Sequence, residues 1–172
     1  MTDQAKCLWE GGLTRRLHTV LHLQHYDVAQ HSWRMAALLF ALHPNPSQKL
    51  LWAVLFHDVP ERWVGDMPAP AKWNGLGDAL EKAEHKIAKK LDIDFDLEWE
   101  EVLWLKGLDI LELFLFCEDE VRLGNLHLVE VRRRCMEFLG NNSIPDEILG
   151  FMETYDWNES TTEGMLNDED VS

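Results

Sequence analysis

The chain reads as all-α, a single-domain helical bundle. Apolar residues recur at 3.6-residue spacing through several long stretches, no stretch alternates for long with a period of two, and prolines and glycines punctuate the periodic stretches. With 172 residues, 46% of them hydrophobic, one domain can bury a sizeable core. Residues 1–13 are expected as a loose lead-in ending at Gly11-Gly12, and residues 14–26 are mixed, carrying Arg15, Arg16, His18, His22 and His25. From Asp27 a helix begins, with Val28, His31, Met35, Leu38, Leu39 and Leu42 along its apolar face; His43-Pro-Asn-Pro-Ser breaks it. Ser47 caps a second helix carrying Leu50, Leu51, Val54, Leu55 and Asp58, which Pro60 ends or bends. Gly65 to Lys72 is expected as an ordered loop held by two prolines. Residues 78–91 form an amphipathic helix with Leu80, Ala83, Ile87 and Leu91 inward. A long helix follows over residues 98–122, ending before Gly124, then one over 126–139 and a short one over 145–156 that Pro145 starts. The domain spans 1–157; residues 158–172 form an acidic tail expected to be disordered.

The charge narrows the partners. Sixteen Lys and Arg against 31 Asp and Glu give a net charge of −15, a surface that repels DNA and RNA, so no stable nucleic-acid binding is expected. A small phosphorylated substrate stays open, because a metal and a few local cations outweigh the global field. Cys7, Cys117 and Cys135 are isolated and form no CxxC pair, which points to a reducing compartment, the cytoplasm, or the host-cell cytoplasm if phage-encoded. The polar start lacks an apolar signal region, and the longest apolar stretch, Ile110 to Cys117, is short and interrupted by Glu112, so no membrane association is expected. Most of the eight Trp are expected in the core or at its edge.

The chemistry centres on His57-Asp58, at the end of the apolar run Leu50 to Phe56. An ionised Asp there needs a partner, since an unpaired buried carboxylate costs several kcal/mol. A divalent metal is such a partner, and imidazole with carboxylate suits Mn, Fe, Co, Zn or Ni. The competing reading is a hydrogen-bonded His beside an Asp at a helix C-terminus. His31 faces inward on the preceding helix; alone it reads as a core histidine, but antiparallel helices bring it toward His57-Asp58. Asp109 is a candidate fourth ligand. Spacing alone leaves that open, because Lys106 and Glu112 at i−3 and i+3 make a solvated stripe an equal reading.

These residues resemble the H…HD…D pattern of the HD-domain superfamily, at His31, His57, Asp58 and Asp109. More narrowly, the chain is similar to the compact 5′-deoxynucleotidase branch of the YfbR kind and to the phage DatZ-type dATP triphosphohydrolases. The matching stretches are Arg16 to Ser32, especially Val28-Ala-Gln-His-Ser; His57-Asp-Val-Pro-Glu-Arg-Trp-Val-Gly-Asp-Met-Pro-Ala-Pro-Ala-Lys; and Lys106-Gly-Leu-Asp-Ile-Leu-Glu, running on to Gly124-Asn125. The run Arg16 to Thr19 and the short length look more like the phage proteins.

The resemblance implies an HD-type bundle in which His31, His57, Asp58 and Asp109 hold one divalent metal ion (Co, Mn, Mg, Zn or Ni). It implies that Glu61 positions water or acts as general acid/base, that Asp66 stands near substrate, and that Arg16 neutralises phosphate charge. Lys72 is a second phosphate-binding candidate. Leu17, His18 and Trp33 are candidates to line the substrate, with Val20 and Trp73 as further pocket residues. Two departures are Gln30, where relatives commonly show Glu, and Leu17, where the deoxynucleotidases carry an aromatic residue against the sugar. The implied function is phosphate removal from a 2′-deoxynucleotide, first dATP or another purine triphosphate, next a monophosphate; a nucleotide sensor without turnover is the alternative of another class. A homo-oligomer, dimer or hexamer, is implied as well, with the apolar helix Leu103 to Phe116 as candidate contact or, alternatively, buried within one subunit.

Overall fold

A computed structural model describes residues 3–141 and 143–155. The expected acidic tail therefore lies outside the described residues. The chain opens with α1, Asp3–Gly11, where a loose lead-in was expected. Gln4, Ala5, Lys6, Leu8 and Glu10 are all strong helix formers, and Asp3 complements the N-terminal dipole. Its last residue packs on Val59, close enough that a Cβ at Gly11 would meet the Val59 side chain at 2.8 Å.

α2, Val28–Leu42, begins where expected, with the Asp27 side chain accepting the Gln30 N–H at 2.8 Å. Its buried face carries Val28, His31, Ser32, Met35 and Leu39. α3, Gln48–Phe56, is capped by Ser47, which accepts the Leu50 N–H at 3.0 Å, and it turns Leu50, Ala53 and Val54 into the core. Pro60 stops α3 by the expected mechanism, and a short α4, Glu61–Val64, starts directly after it.

The segment expected as a loop is partly helical. Ala69–Ala71 (α5) passes into a π turn at Lys72–Leu76, whose Gly75 takes φ +97°, and the chain then enters α6, Gly77–Leu91. Proline at the start of the turn and glycine at the left-handed position suit those places.

α7, Trp99–Arg122, is the central element, and α2, α3, α8 (Val129–Asn141) and α9 (Asp146–Thr154) all pack on it. A reciprocal capping box between Glu98 and Glu101 opens it. The expected helix from 126 instead starts with a 3₁₀ turn, Leu126–Leu128, which the Asn125 side chain caps. The core joins Met35 and Leu39 of α2, Leu50 and Val54 of α3, Trp104, Leu108, Leu111 and Phe114 of α7, Leu139 of α8 and Ile148 of α9. Each such side chain contributes roughly 1.5–3 kcal/mol of apolar burial. α9 approaches α7 at Gly107, where a Cβ would fall 2.7 Å from Ile148. Trp104, Leu108, Leu111, Phe114 and Phe116 of α7 are thus buried within the chain, while Leu103, Leu105, Ile110, Leu113 and Leu115 stay partly exposed.

A second cluster fastens the 14–27 segment to the bundle: Tyr26 stacks on Phe116 with centroids 3.9 Å apart, beside Cys117 and Leu128. The segment's two ends meet through Arg16 N–H to Tyr26 O, Val28 N–H to Thr14 O, and an isolated bridge between Arg15 and Asp27. No strand occurs among the described residues, and none of the described helices is long and apolar enough to cross a membrane. The tryptophans depart from expectation. Among the described residues only Trp104 is buried, while Trp9, Trp33, Trp52, Trp63, Trp73 and Trp99 are exposed. Three of these make ring contacts at the surface, Trp63 beneath Arg62, Trp73 beneath Arg134 and Trp52 beside Phe95.

Candidate active site

Three elements converge on one point. α2 delivers His31 from its buried face, the end of α3 delivers His57 and Asp58, and α7 delivers Asp109. His31, His57 and Asp58 offer ligand atoms that all lie within 4.8 Å of one another. Asp109 stands next to them, its Oδ1 3.2 Å from His31 Nε2. His57 is oriented by its own helix: its Nδ1 lies 3.2 Å from the carbonyls of Ala53 and Val54, so Nδ1 carries the proton and Nε2 is left with the lone pair. Nε2 of His31 and Nε2 of His57 are both buried without a hydrogen-bond partner; the first faces Asp58 and Asp109, the second Asp58. Two orphaned imidazole nitrogens beside two carboxylates are the donor set that a borderline divalent cation takes. The residues present fit a metal ion.

The surrounding groups are equally specific. Arg16, buried, donates one guanidinium N–H to Asp58 and a second to Asp109, at 3.3 Å in the latter case. Leu17 follows it in the left-handed region, φ +51°, a strained conformation for a leucine. Its N–H donates to Asp66 Oδ2 at 2.7 Å, so the Gly65-Asp66 turn holds the Arg16-Leu17 turn in place. Glu61 opens α4 one turn beyond His57 and is 5% exposed.

The HD domain family matches residues 14–98, the span that carries Arg16, His31, His57-Asp58, Glu61, Asp66 and Lys72. A 5′-deoxynucleotidase of Photobacterium profundum is 26% identical over 156 residues, covering 75% of this chain and 79% of that protein. The solved structure of the cyanophage S-2L HD phosphohydrolase DatZ, bound to dA and one catalytic Zn2+ ion, superposes with a TM-score of 0.69 at 21% identity. It covers 89% of this chain and 93% of that one. Residues 14–98 carry an HD domain, on the fold of a known HD phosphohydrolase.

The electrostatics of this HD site set the protonation states. Burial pushes the Glu61 carboxyl up, and the neighbouring Asp58 adds to it, so that it holds its proton to about 9. Burial also opposes charge on Asp58 and Asp109, but the His57, Arg16 and His31 neighbours outweigh it and keep both below the usual carboxylate range. Burial and Arg16 work to lower the pKa of His31, yet the Asp109 and Glu112 carboxylates prevail and raise it to about 9. The Arg16 guanidinium is held charged by Asp58 in spite of its burial.

Other expected residues fall at varying distances from the HD pair. His18 borders the site, its Nδ1 3.8 Å from Asp66 Oδ2, and Lys72 stands on the rim, close enough to act on Glu61 and Glu84. Trp33 lies away from the HD pair. Two residues after His31 it points to the opposite side of α2, 70% exposed, in a groove shared with Ala37, Leu115 and Tyr155. Trp73 is exposed as well, and so is Arg15. His22 and His25 are engaged locally, His22 Nδ1 with Gln24 O at 2.6 Å and His25 Nε2 with Asp27 Oδ2 at 2.7 Å.

Sequence reasoning missed Glu112. Placed on a possible solvated stripe, it is in fact 1% exposed, with Oε2 2.5 Å from both His31 Nδ1 and the Tyr26 hydroxyl. Only its partners, 81 and 86 residues away, distinguish it from a surface glutamate.

Proposed function

We propose that the protein removes phosphate from a 2′-deoxynucleotide with the help of one divalent cation, with dATP or another purine deoxynucleoside triphosphate, cleaved to the deoxynucleoside, as first substrate. The observation that carries the reading is the meeting of two orphaned imidazole nitrogens, two carboxylates, a buried arginine and a protonated glutamic acid in one site. The relative named a 5′-deoxynucleotidase and the DatZ structure bound to dA support the deoxynucleotide. Hydrolysis of a monophosphate to deoxynucleoside and phosphate is the second reading, favoured by the first of those relatives.

His31, His57, Asp58 and Asp109 would hold the cation, whether Zn, Mn, Co, Ni or Mg. When bound it supplies Lewis acidity toward a phosphate oxygen and toward water. Arg16 carries the positive charge that meets the non-bridging phosphate oxygens, and Lys72 adds a second charge at the rim. In either reading water attacks phosphorus, the P–O5′ bond breaks, and O5′ takes a proton. Glu61, protonated at neutral pH, is the group that gives it. Asp66 holds the turn that aims Arg16, and Leu17 and His18 border the nucleoside. The same reading includes a homo-oligomer, to which the exposed Trp33 and Phe40 on α2 lend apolar surface.

The test is a panel of dNTPs, dNMPs and rNTPs with Mg, Mn, Co or Zn, with every product separated by chromatography. Conversion of dATP to deoxyadenosine supports the triphosphohydrolase, and turnover confined to monophosphates moves the assignment to the nucleotidase. Binding without turnover under any metal overturns the enzyme reading in favour of a sensor. Light scattering of the purified chain reads the oligomeric state.

A further inference from the structure

Glu112 lies outside the ligand set, yet it contacts one of its members directly. His31 is fully buried, and its two ring nitrogens face different surroundings. Nε2 faces Asp109 and Asp58, at 3.2 and 3.6 Å, and makes no hydrogen bond. Nδ1 faces Glu112 Oε2 at 2.5 Å, with the Tyr26 hydroxyl at 3.3 Å. For Nε2 to offer a lone pair, the proton of the neutral ring must reside on Nδ1, and a buried N–H needs an acceptor. Glu112 is that acceptor. Glu112 is itself held from two sides, by the Tyr26 O–H at 2.5 Å and by Arg34, whose Nη1 is 3.6 Å from Oε1. Tyr26 cannot swing away, because its ring stacks on Phe116. His57 differs in having backbone carbonyls for the same purpose.

We infer that Glu112, fixed by Tyr26, is a positioning residue that locks His31 in the Nδ1–H tautomer and aims Nε2 at the cation. The inference rests on the metal-binding reading above but not on any substrate. A carboxylate behind a ligating imidazole also raises its donor strength, and losing such a partner typically weakens metal binding by about 10- to 100-fold.

The experiment is cation binding without nucleotide. Mn2+ and Co2+ affinities of the full chain are measured by competition with a chelator for wild type, Glu112→Gln, Glu112→Ala and Tyr26→Phe. The Co2+ absorption spectrum and the 15N shifts of the His31 ring provide independent readouts. Glu112→Gln preserves volume and an acceptor oxygen, so it guards against a fold defect. The expected result is graded, with affinity falling least in Tyr26→Phe, more in Glu112→Gln and furthest in Glu112→Ala, by about 10- to 100-fold. Without cation and above pH 9, where the ring is neutral, His31 is expected to show Nδ1–H in wild type and a tautomer mixture in the Ala variant. Wild-type affinity and an unchanged His31 signal in a folded Glu112→Ala chain overturn the inference alone. A wild-type chain that binds neither cation overturns the metal reading and this inference with it, whereas firm binding without nucleotide turnover leaves this inference standing and sinks only the proposed activity.

Discussion

Arg16 donates to Asp58 and Asp109 from one guanidinium, so a cation entering between His31 and Asp58 competes with it for the same carboxylate. Arg16→Ala is expected to raise cation affinity in the absence of nucleotide while lowering kcat by roughly 10²–10³, the scale of one lost charge-stabilising donor. Calorimetric titration beside steady-state kinetics separates the two effects, and weaker cation binding in the variant would show Arg16 to be a support of the site instead. Asp58→Ala is expected to lose activity and metal content together, read by turnover and elemental analysis; an active, metal-loaded variant contradicts the ligand assignment. Asp66 separates differently. Its observed task is to accept the Leu17 N–H, which an amide oxygen also does, so Asp66→Asn is expected to keep most of kcat/KM where Asp66→Ala loses it. Equal loss in both variants would put the Asp66 carboxylate in contact with the reacting atoms. At this scale spacing and residue type singled out the HD pair and brought His31 toward it, but only the family resemblance made them a ligand set. Spacing left Asp109 ambiguous and Glu112 misplaced, because helical period assigns both to one stripe and says nothing about which acid has a buried partner.

α2 and α3 were legible because each has an N-cap residue, a run of apolar residues at helical spacing and a proline-bearing exit. α1 escaped because its glycine pair was read as the mark of a loose segment rather than as a helix end against Val59. The 69–76 stretch escaped because proline and glycine signal turns in general, and a π turn between two helices has no signature of its own. α7 supplies the sharpest prediction for an element. Gly107 lies where the Ile148 Cδ1 methyl presses closest, so Gly107→Ala must shift that buried side chain and is expected to cost about 1 kcal/mol. Thermal denaturation reads this as a lower Tm, while catalysis at low temperature persists because Asp109 stays on the same helix. An unchanged Tm would mean that the Ile148 side chain gives way without cost.

For the molecule as a whole, pH acts through the same buried groups. Glu61 and His31 each hold a proton to about 9 in the folded chain, above the ordinary 4.5 and 6.5. The folded state therefore binds more protons than the unfolded one across that interval, and stability falls as pH rises through it. Asp58 and Asp109, held low, contribute stability that is lost as acid protonates them. With chelator present, Tm is expected to decline from pH 7 to pH 9. Divalent cation is expected to flatten the decline, since it takes over the His31 nitrogen that the proton held. A Tm that climbs toward pH 9 in chelator would contradict the burial of these groups.

The closure of the 16–26 excursion by a backbone hydrogen bond between Arg16 and Tyr26 has a consequence for how such a protein changes over time. Its two ends are pinned together, Arg16 against Asp58 and Asp109 and Tyr26 against Glu112, while between them Leu17 is tied to Asp66 and Leu23 and Gln24 to Glu120. On the proposed reading, substitutions at exposed positions of that stretch, such as His18 and Thr19, are expected to change the preferred nucleoside while the pinned ends keep the reaction in place.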